Sequence, residues 1–136
     1  MQTLIEFFKE VDEDFSPSLS SRVDLDKYAA KVLANAVVFP VVESGNITAL
    51  LAMYCNDYVS RVAYITSVSV KKEAREKGLG LLLVHSAIAY AKAVNFEKIE
   101  LEVYKDNVAA ISLYKKVGFV VSEEKELSFI MQTNLN

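Results

Sequence analysis

Apolar positions fall into two rhythms along this chain of 136 residues. Leu4, Phe7, Phe8, Val11 and Phe15 recur every three or four residues, the spacing that lines one face of an α-helix, and Ser16-Pro17-Ser18 breaks it. Leu25, Tyr28, Ala29 and Val32 repeat that period behind Asp24, a residue suited to capping a helix N-terminus, so a second helix is expected to about residue 35. From 36 to 55 the chain turns to β-branched and aromatic residues, and Ser44-Gly45-Asn46 joins two apolar runs as a hairpin turn would. Pro40 lacks an amide hydrogen for a ladder and puts the first of these strands at a sheet edge. In 61–70, Val62, Tyr64, Thr66 and Val68 alternate with Ala63, Ile65 and Ser67. The three strands are expected to form an antiparallel meander.

The second half alternates helix and strand. Leu79, Leu82, Leu83, Ser86, Ala87 and Tyr90 predict a helix to about residue 94, and 98–104 reads as a strand. That strand points Ile99, Leu101 and Val103 one way and Glu100, Glu102 and Tyr104 the other. A strand, helix, strand crossover makes 61–70 and 98–104 parallel. A last helix over 107–117 is closed by Gly118 in the usual C-terminal position, and 119–135 ends the chain as a hairpin. Without repeats, low-complexity tracts or linkers, residues 1–136 read as one domain.

Charge narrows the function. A net charge of −3 and a pI near 5.2 argue against a nucleic-acid or anionic-membrane binder, which needs a broad cationic face. The single cysteine, Cys55, has no intramolecular disulfide partner, and with His85 as the only histidine the soft ligands are too few for zinc. Cys55 is expected as a buried or half-buried thiol and His85 as a structural or partly exposed helix residue. Glutamate, lysine and aspartate interrupt the N-terminal apolar positions where a signal peptide would be continuous, so a cytoplasmic protein is expected.

Two of only four glycines stand at 78 and 80, between a basic run and an apolar helix. Backbone N–H groups converging on a helix N-terminus form an anion site, and Arg75, Gly78 and Gly80 fit one. The segment 71–77 holds four cations and two anions, a local excess of two positive charges. A dinucleotide fingerprint would require glycine at 83, where Leu83 stands, and a P-loop would end in Gly-Lys-Ser/Thr; neither is present.

Arg75-x-x-Gly78-x-Gly80, followed after an Ile-Glu-Leu-Glu-Val strand by Asn107, Ala110, Tyr114 and Gly118-Phe119, resembles the Gcn5-related N-acetyltransferase (GNAT) superfamily. The resemblance spans about residues 36–134 and is specific over 62–119. It implies an α/β (α+β) fold with a mixed sheet of about six strands, an antiparallel N-terminal meander, a splayed parallel pair in the middle and about four helices. The family's first strand is missing or very short, because the chain reads as helix from its start.

The resemblance implies acetyl-CoA as co-substrate and no metal. The pyrophosphate would be held by Arg75, Glu76, Lys77, Gly78, Leu79 and Gly80, and the acyl and pantetheine arm by the backbone of Val68, Ser69 and Val70 with Asn107, Ala110 and Tyr114. Tyr114 would be the general acid for the departing thiolate, a phenol near pKa 10 facing a thiol near 8.5, or else a core tyrosine with its hydroxyl satisfied. Glu102 is a candidate base for the attacking amine, or a residue that binds substrate or neighbouring polar groups. Asn107 would also cap its helix. The acceptor reads as a small-molecule amine, with 16–24 looping over its pocket, and "FIMQTNL" would pair with a neighbour into a homodimer if its edge is exposed. A CoA-binding module that has lost its chemistry, serving as sensor or partner subunit, is the alternative from another class.

Overall fold

Two helices pack on one side of a six-stranded sheet and two on the other, in a computed structural model that describes every residue except Ser16. The chain runs α1 (Leu4–Val11), α2 (Leu25–Asn35), β1 (Ala36–Glu43), β2 (Asn46–Tyr54), β3 (Val62–Val70), α3 (Leu79–Ala93), β4 (Lys98–Tyr104), α4 (Val108–Lys116), β5 (Val120–Glu124) and β6 (Ser128–Asn134). Helix α1 starts at Thr3 with a capping box, in which Thr3 and Glu6 satisfy each other's backbone amides. It ends four residues before Phe15, where a 3₁₀ turn over Asp12–Asp14 redirects the chain. Asp24 caps α2 by accepting from the Lys27 amide, as its position in the sequence implies.

The sheet order is β1-β2-β3-β4-β6-β5, antiparallel except for β3 and β4. Ser44 and Gly45 both take positive φ between β1 and β2, the two left-handed positions of a type I′ hairpin. Strand β1 is an edge, consistent with Pro40. Among the described residues α1 is the first element, in agreement with the helical reading from residue 4.

Strand β2 is buried on both faces, which explains its unbroken apolar run. Ala49, Leu51 and Met53 join the core beneath α3 and α4, while Leu50 and Ala52 pack against Phe7, Phe8 and Val32 of α1 and α2. Strand β6 lies between β4 and β5, so "FIMQTNL" has no open edge. The condition set for pairing there, an exposed edge, is not met by β6; the open edge of the closing hairpin is β5, because the hairpin folds its first strand outward.

Candidate active site

The parallel ladder between β3 and β4 is short. It runs from Val62↔Lys98 to Ile65↔Leu101 and stops. At that point β3 carries a bulge, because Ala52 pairs with Ser67 and Met53 with Ile65, leaving Thr66 unpaired. A bulge bends its strand and increases the local twist. It also resets the side-chain alternation, so that Val68 and Val70 join Ile65 on the face under α3 and α4, and Ser67 and Ser69 turn to the other. This corrects the unbroken alternation expected for 61–70. No glycine marks the position, so nothing in the local sequence signals it.

Past the bulge, the two strands diverge around a cavity of about 930 Å³. The edge of β3 that left β4 is held locally: Thr66 O accepts from the Tyr28 hydroxyl at 3.1 Å and Val70 O from Arg75 Nε at 3.0 Å. Val68 shares their parity, so its own N–H and C=O face the gap with no strand opposite. Val68, Ser69 and Val70 all line the cavity.

One end of the cavity is the start of α3. Glu76 and Gly78 adopt positive φ, at 64° and 76°, a left-handed pair that folds the loop back before the helix. Gly78 is the N-cap and no side chain caps the helix, and the first turn contains no acidic residue. The amides of that turn are therefore open donors at the positive end of a 15-residue helix, and Gly78, Leu79, Gly80 and Leu81 line the cavity there. The two glycines serve different ends. A Cβ on Gly78 would meet nothing within 4 Å, so only its backbone conformation calls for glycine, whereas a Cβ on Gly80 would stand 3.2 Å from Leu113 Cδ2, where α4 packs closely.

The basic run is less available than its composition suggests. Lys71 is buried, with its ammonium paired to Glu10 and donating to Gln2 Oε1. Arg75 binds Val70 O and reaches Asp14 Oδ2 at 3.2 Å, tying the loop to the α1–α2 connection. Arg75 and Glu76 line the cavity and Lys77 does not; Lys72 and Lys116, neither singled out from the sequence, do. Lys116 ends α4, and its signal was only that a cation closes the helix carrying Tyr114.

That helix is fixed at both ends. Asn107 Oδ1 accepts from the Ala110 amide at 3.2 Å, so Asn107 is the cap it resembles. At the other end the Phe119 amide bonds Tyr114 O and the Gly118 amide bonds Lys115 O, a Schellman closure that needs the positive φ of Gly118, 106°. Phe119 thereby meets the Tyr114 ring, centroids 5.7 Å apart. Gly118-Phe119 is thus the clamp that holds Tyr114.

Tyr114 lines the cavity with Asn107 and Ala110, while Ile111 turns into the core instead. Its ring is 7% exposed, and among the described residues its hydroxyl has no hydrogen-bond partner. Burial pushes the phenol well above its ordinary pKa.

The opposite face of the splay is polar. Glu102 lines the cavity from β4; its Oε2 accepts from the Ser128 hydroxyl at 2.6 Å and lies 3.6 Å from Lys125 Nζ. Tyr64, beside it on β3, has a phenol raised chiefly by burial and further by the charges of Glu102 and Glu100. Over this floor lies the α1–α2 connection, which contributes Asp14, Phe15 and Arg22 to the lining. Of the 16–24 segment expected to loop over the acceptor pocket, Arg22 lines this cavity, and Ser16 lies outside the described residues. Tyr28 anchors α2 to the bulge through Thr66 O and Thr66 Oγ1, the latter at 2.8 Å. The sequence assigns no site role to Thr66 or Arg22, since both act through a bulge and a loop whose positions only the fold brings together.

His85 is exposed and away from the cavity, and Cys55 is a free buried thiol whose pKa burial raises. Among the described residues no helix is long and apolar enough to cross a membrane.

Comparison with known proteins adds to this geometry. The profile of the acetyltransferase (GNAT) family matches residues 2–119. Streptothricin acetyltransferase A of Bacillus subtilis is 37% identical over 59 residues, 43% of this chain and 34% of that protein. A Bacillus anthracis acetyltransferase solved in complex with acetyl coenzyme A is 26% identical, with a TM-score of 0.65 over 74% of this chain and 62% of that one. The ribosomal-protein-S18-alanine N-acetyltransferase of Escherichia coli, at 17% identity, shares the fold over 99% of this chain and 91% of its own, with a TM-score of 0.75. The aligned stretches span less than half the length of the curated relatives.

Proposed function

The chain belongs to the acetyltransferase (GNAT) family, and on that premise we propose that it transfers an acetyl group from acetyl-CoA to a primary amine of a small acceptor by direct attack in a ternary complex. The observation that supports this most is the interrupted ladder: β3 and β4 separate after Ile65↔Leu101 and leave an unpaired strand edge beside an uncapped helix N-terminus. An extended amide-bearing chain ending in phosphates matches both, through strand-like hydrogen bonds to Val68 and anion contacts at the amides of Leu79, Gly80 and Leu81. Lys72 and Lys116 add charge along the same cavity. Asn107 and Ala110 border the middle of that path.

Acetyl-CoA supplies a thioester whose carbonyl is open to attack. The residues of this chain do the rest. Glu102, its carboxylate held in place by Ser128 and Lys125, receives the incoming amine and takes the proton released after attack. As the C–S bond breaks, negative charge gathers on sulfur, and the Tyr114 hydroxyl donates to it. The raised pKa of this phenol keeps its proton on at neutral pH and makes early transfer unfavourable, so the hydrogen bond to sulfur is its main contribution and the proton follows the charge.

The test is a thermal-shift and calorimetric titration with acetyl-CoA, CoA and NAD, followed by thiol release against a panel of primary amines. Selective stabilisation by the two CoA species and release with an amine are expected. No response to either CoA species would sink the proposal. Stabilisation without release by any amine would leave a CoA-binding module that has lost its chemistry.

A further inference from the structure

A guanidinium lines the cavity from the α1–α2 connection. Arg22 lies 5.1 Å from the Tyr104 ring centroid and 5.6 Å from that of Phe15. Aromatic faces hold a guanidinium by its flat surface and leave its in-plane N–H groups to point outward. Among the described residues, no carboxylate lies within ion-pair distance of it. Of the nearby acids, Asp12 feels the Arg22 charge, but its two oxygens are taken up by the backbone and hydroxyl of Ser20, both at 2.6 Å. Asp14 binds Arg75, and Glu102 is held by Ser128 and Lys125.

Arg22 therefore offers a planar set of donors, exposed at the rim of a cavity it shares with Glu102. Glu102 presents negative charge toward the diverging strands, and Arg22 presents positive charge from the covering loop. A ligand matched to both carries an amine at one end and an anion at the other. From this we infer that the acceptor is an amine bearing a carboxylate, an amino acid or a close derivative, and that Arg22 binds its carboxylate while the amine reaches the splay. A bidentate guanidinium–carboxylate contact gives direction as well as affinity, and it turns the amine inward.

This rests on the acetyltransferase reading and narrows its acceptor. The test compares each amino acid in a panel with its own carboxamide and its decarboxylated amine, by acetyl-CoA-dependent thiol release. The wild type should prefer the carboxylated member of each active set, with the difference in KM rather than kcat. In Arg22→Met the ratio of kcat/KM between acid and carboxamide should fall about ten- to hundredfold toward unity, the scale of one charge-assisted contact. Arg22→Lys should retain part of that ratio, since charge persists without the planar fork.

A ratio is measured within each variant, so a general loss of folded protein cancels. The inference is overturned if carboxamides or decarboxylated amines are preferred, if Arg22→Met leaves the ratio unchanged, or if no carboxylated amine is acetylated. Stabilisation by acetyl-CoA, read in the same samples, separates the two failures. If it is present and an amine without a carboxylate is acetylated while the carboxylated arm fails, only the Arg22 assignment falls; if it is absent, or no amine of the panel is acetylated, the acetyltransferase reading falls with it.

Discussion

Replacing Tyr114 by phenylalanine removes one oxygen and little else. The ring keeps its 5.7 Å contact with Phe119 and its place in the Schellman closure, which is made by backbone groups. In the wild type the hydroxyl has no protein partner among the described residues although the side chain is only 7% exposed. Deleting a satisfied buried hydroxyl would leave its partner orphaned, at a cost of about 1–3 kcal/mol, but here there is no partner to orphan. Stability should therefore stay the same or rise by up to about 1 kcal/mol, which for a chain of this size moves Tm by roughly 4 °C at most. Activity should respond in the opposite sense. A positioned proton donor contributes about 10²–10⁴ in rate, and one acting mainly as a hydrogen bond to sulfur belongs at the lower end, so kcat should fall about 100-fold, close to 2.7 kcal/mol. Differential scanning fluorimetry and thiol release at saturating acceptor measure the two effects. A kcat within threefold of wild type, or a Tm lowered by more than about 5 °C, would show that the hydroxyl serves the fold and refute the argument.

Other substitutions probe the remaining links. Gly78→Ala should cost roughly 1–2 kcal/mol because its φ of 76° disfavours a Cβ, whereas Gly80→Ala should cost less, since the end of the flexible Leu113 side chain can yield by a few tenths of an ångström; chemical denaturation ranks the two, and the opposite order would contradict the assignment. Glu102→Gln keeps an acceptor for Ser128 and removes the charge, so kcat/KM should fall by about 100-fold while acetyl-CoA binding by calorimetry persists; unchanged turnover would remove Glu102 from the chemistry. Glu10→Gln should destabilise the fold by roughly 1–3 kcal/mol, below the 3–5 kcal/mol of a fully buried pair because Glu10 is half exposed, and an unchanged denaturation midpoint would mean Lys71 has another counter-charge. Burial raises the pKa of Tyr114, Tyr28 and Tyr64, so their neutral forms favour the fold below pH 10 and that advantage is lost as pH rises from about 10. Denaturation curves above pH 10 should therefore show falling stability, less steeply in Tyr114→Phe; equal slopes would contradict the burial argument.

Local chemistry made much of this protein legible before any coordinates. Helical spacing, the caps at Asp24 and Asn107, the Ser44-Gly45 turn and the closing Gly118 each follow from forces acting over a few residues, and all stand where the sequence places them. So does the glycine-bearing loop before α3, because a positive φ and an uncapped helix start are properties of the segment itself. The helical spacing runs on to Phe15 while α1 ends at Val11, since a 3₁₀ turn and a helix share nearly the same spacing over three residues.

What tertiary structure alone decided is how distant segments meet. Thr66 became a bulge because β2 pairs on both sides of it in registers that leave one residue over, and that choice depends on two strands together. The bulge set Val68 against the core and ended the pairing with β4, opening the cavity. The cations of 71–77 looked available as a group, yet Lys71 and Arg75 were claimed by Glu10 and Asp14, residues some sixty positions earlier in the chain. Arg22 met Tyr104 only through folding. Sequence patterns record the short-range forces that shape each element; the site lies where elements far apart in the chain are packed together, and their register and charge pairing exist only once that packing is complete.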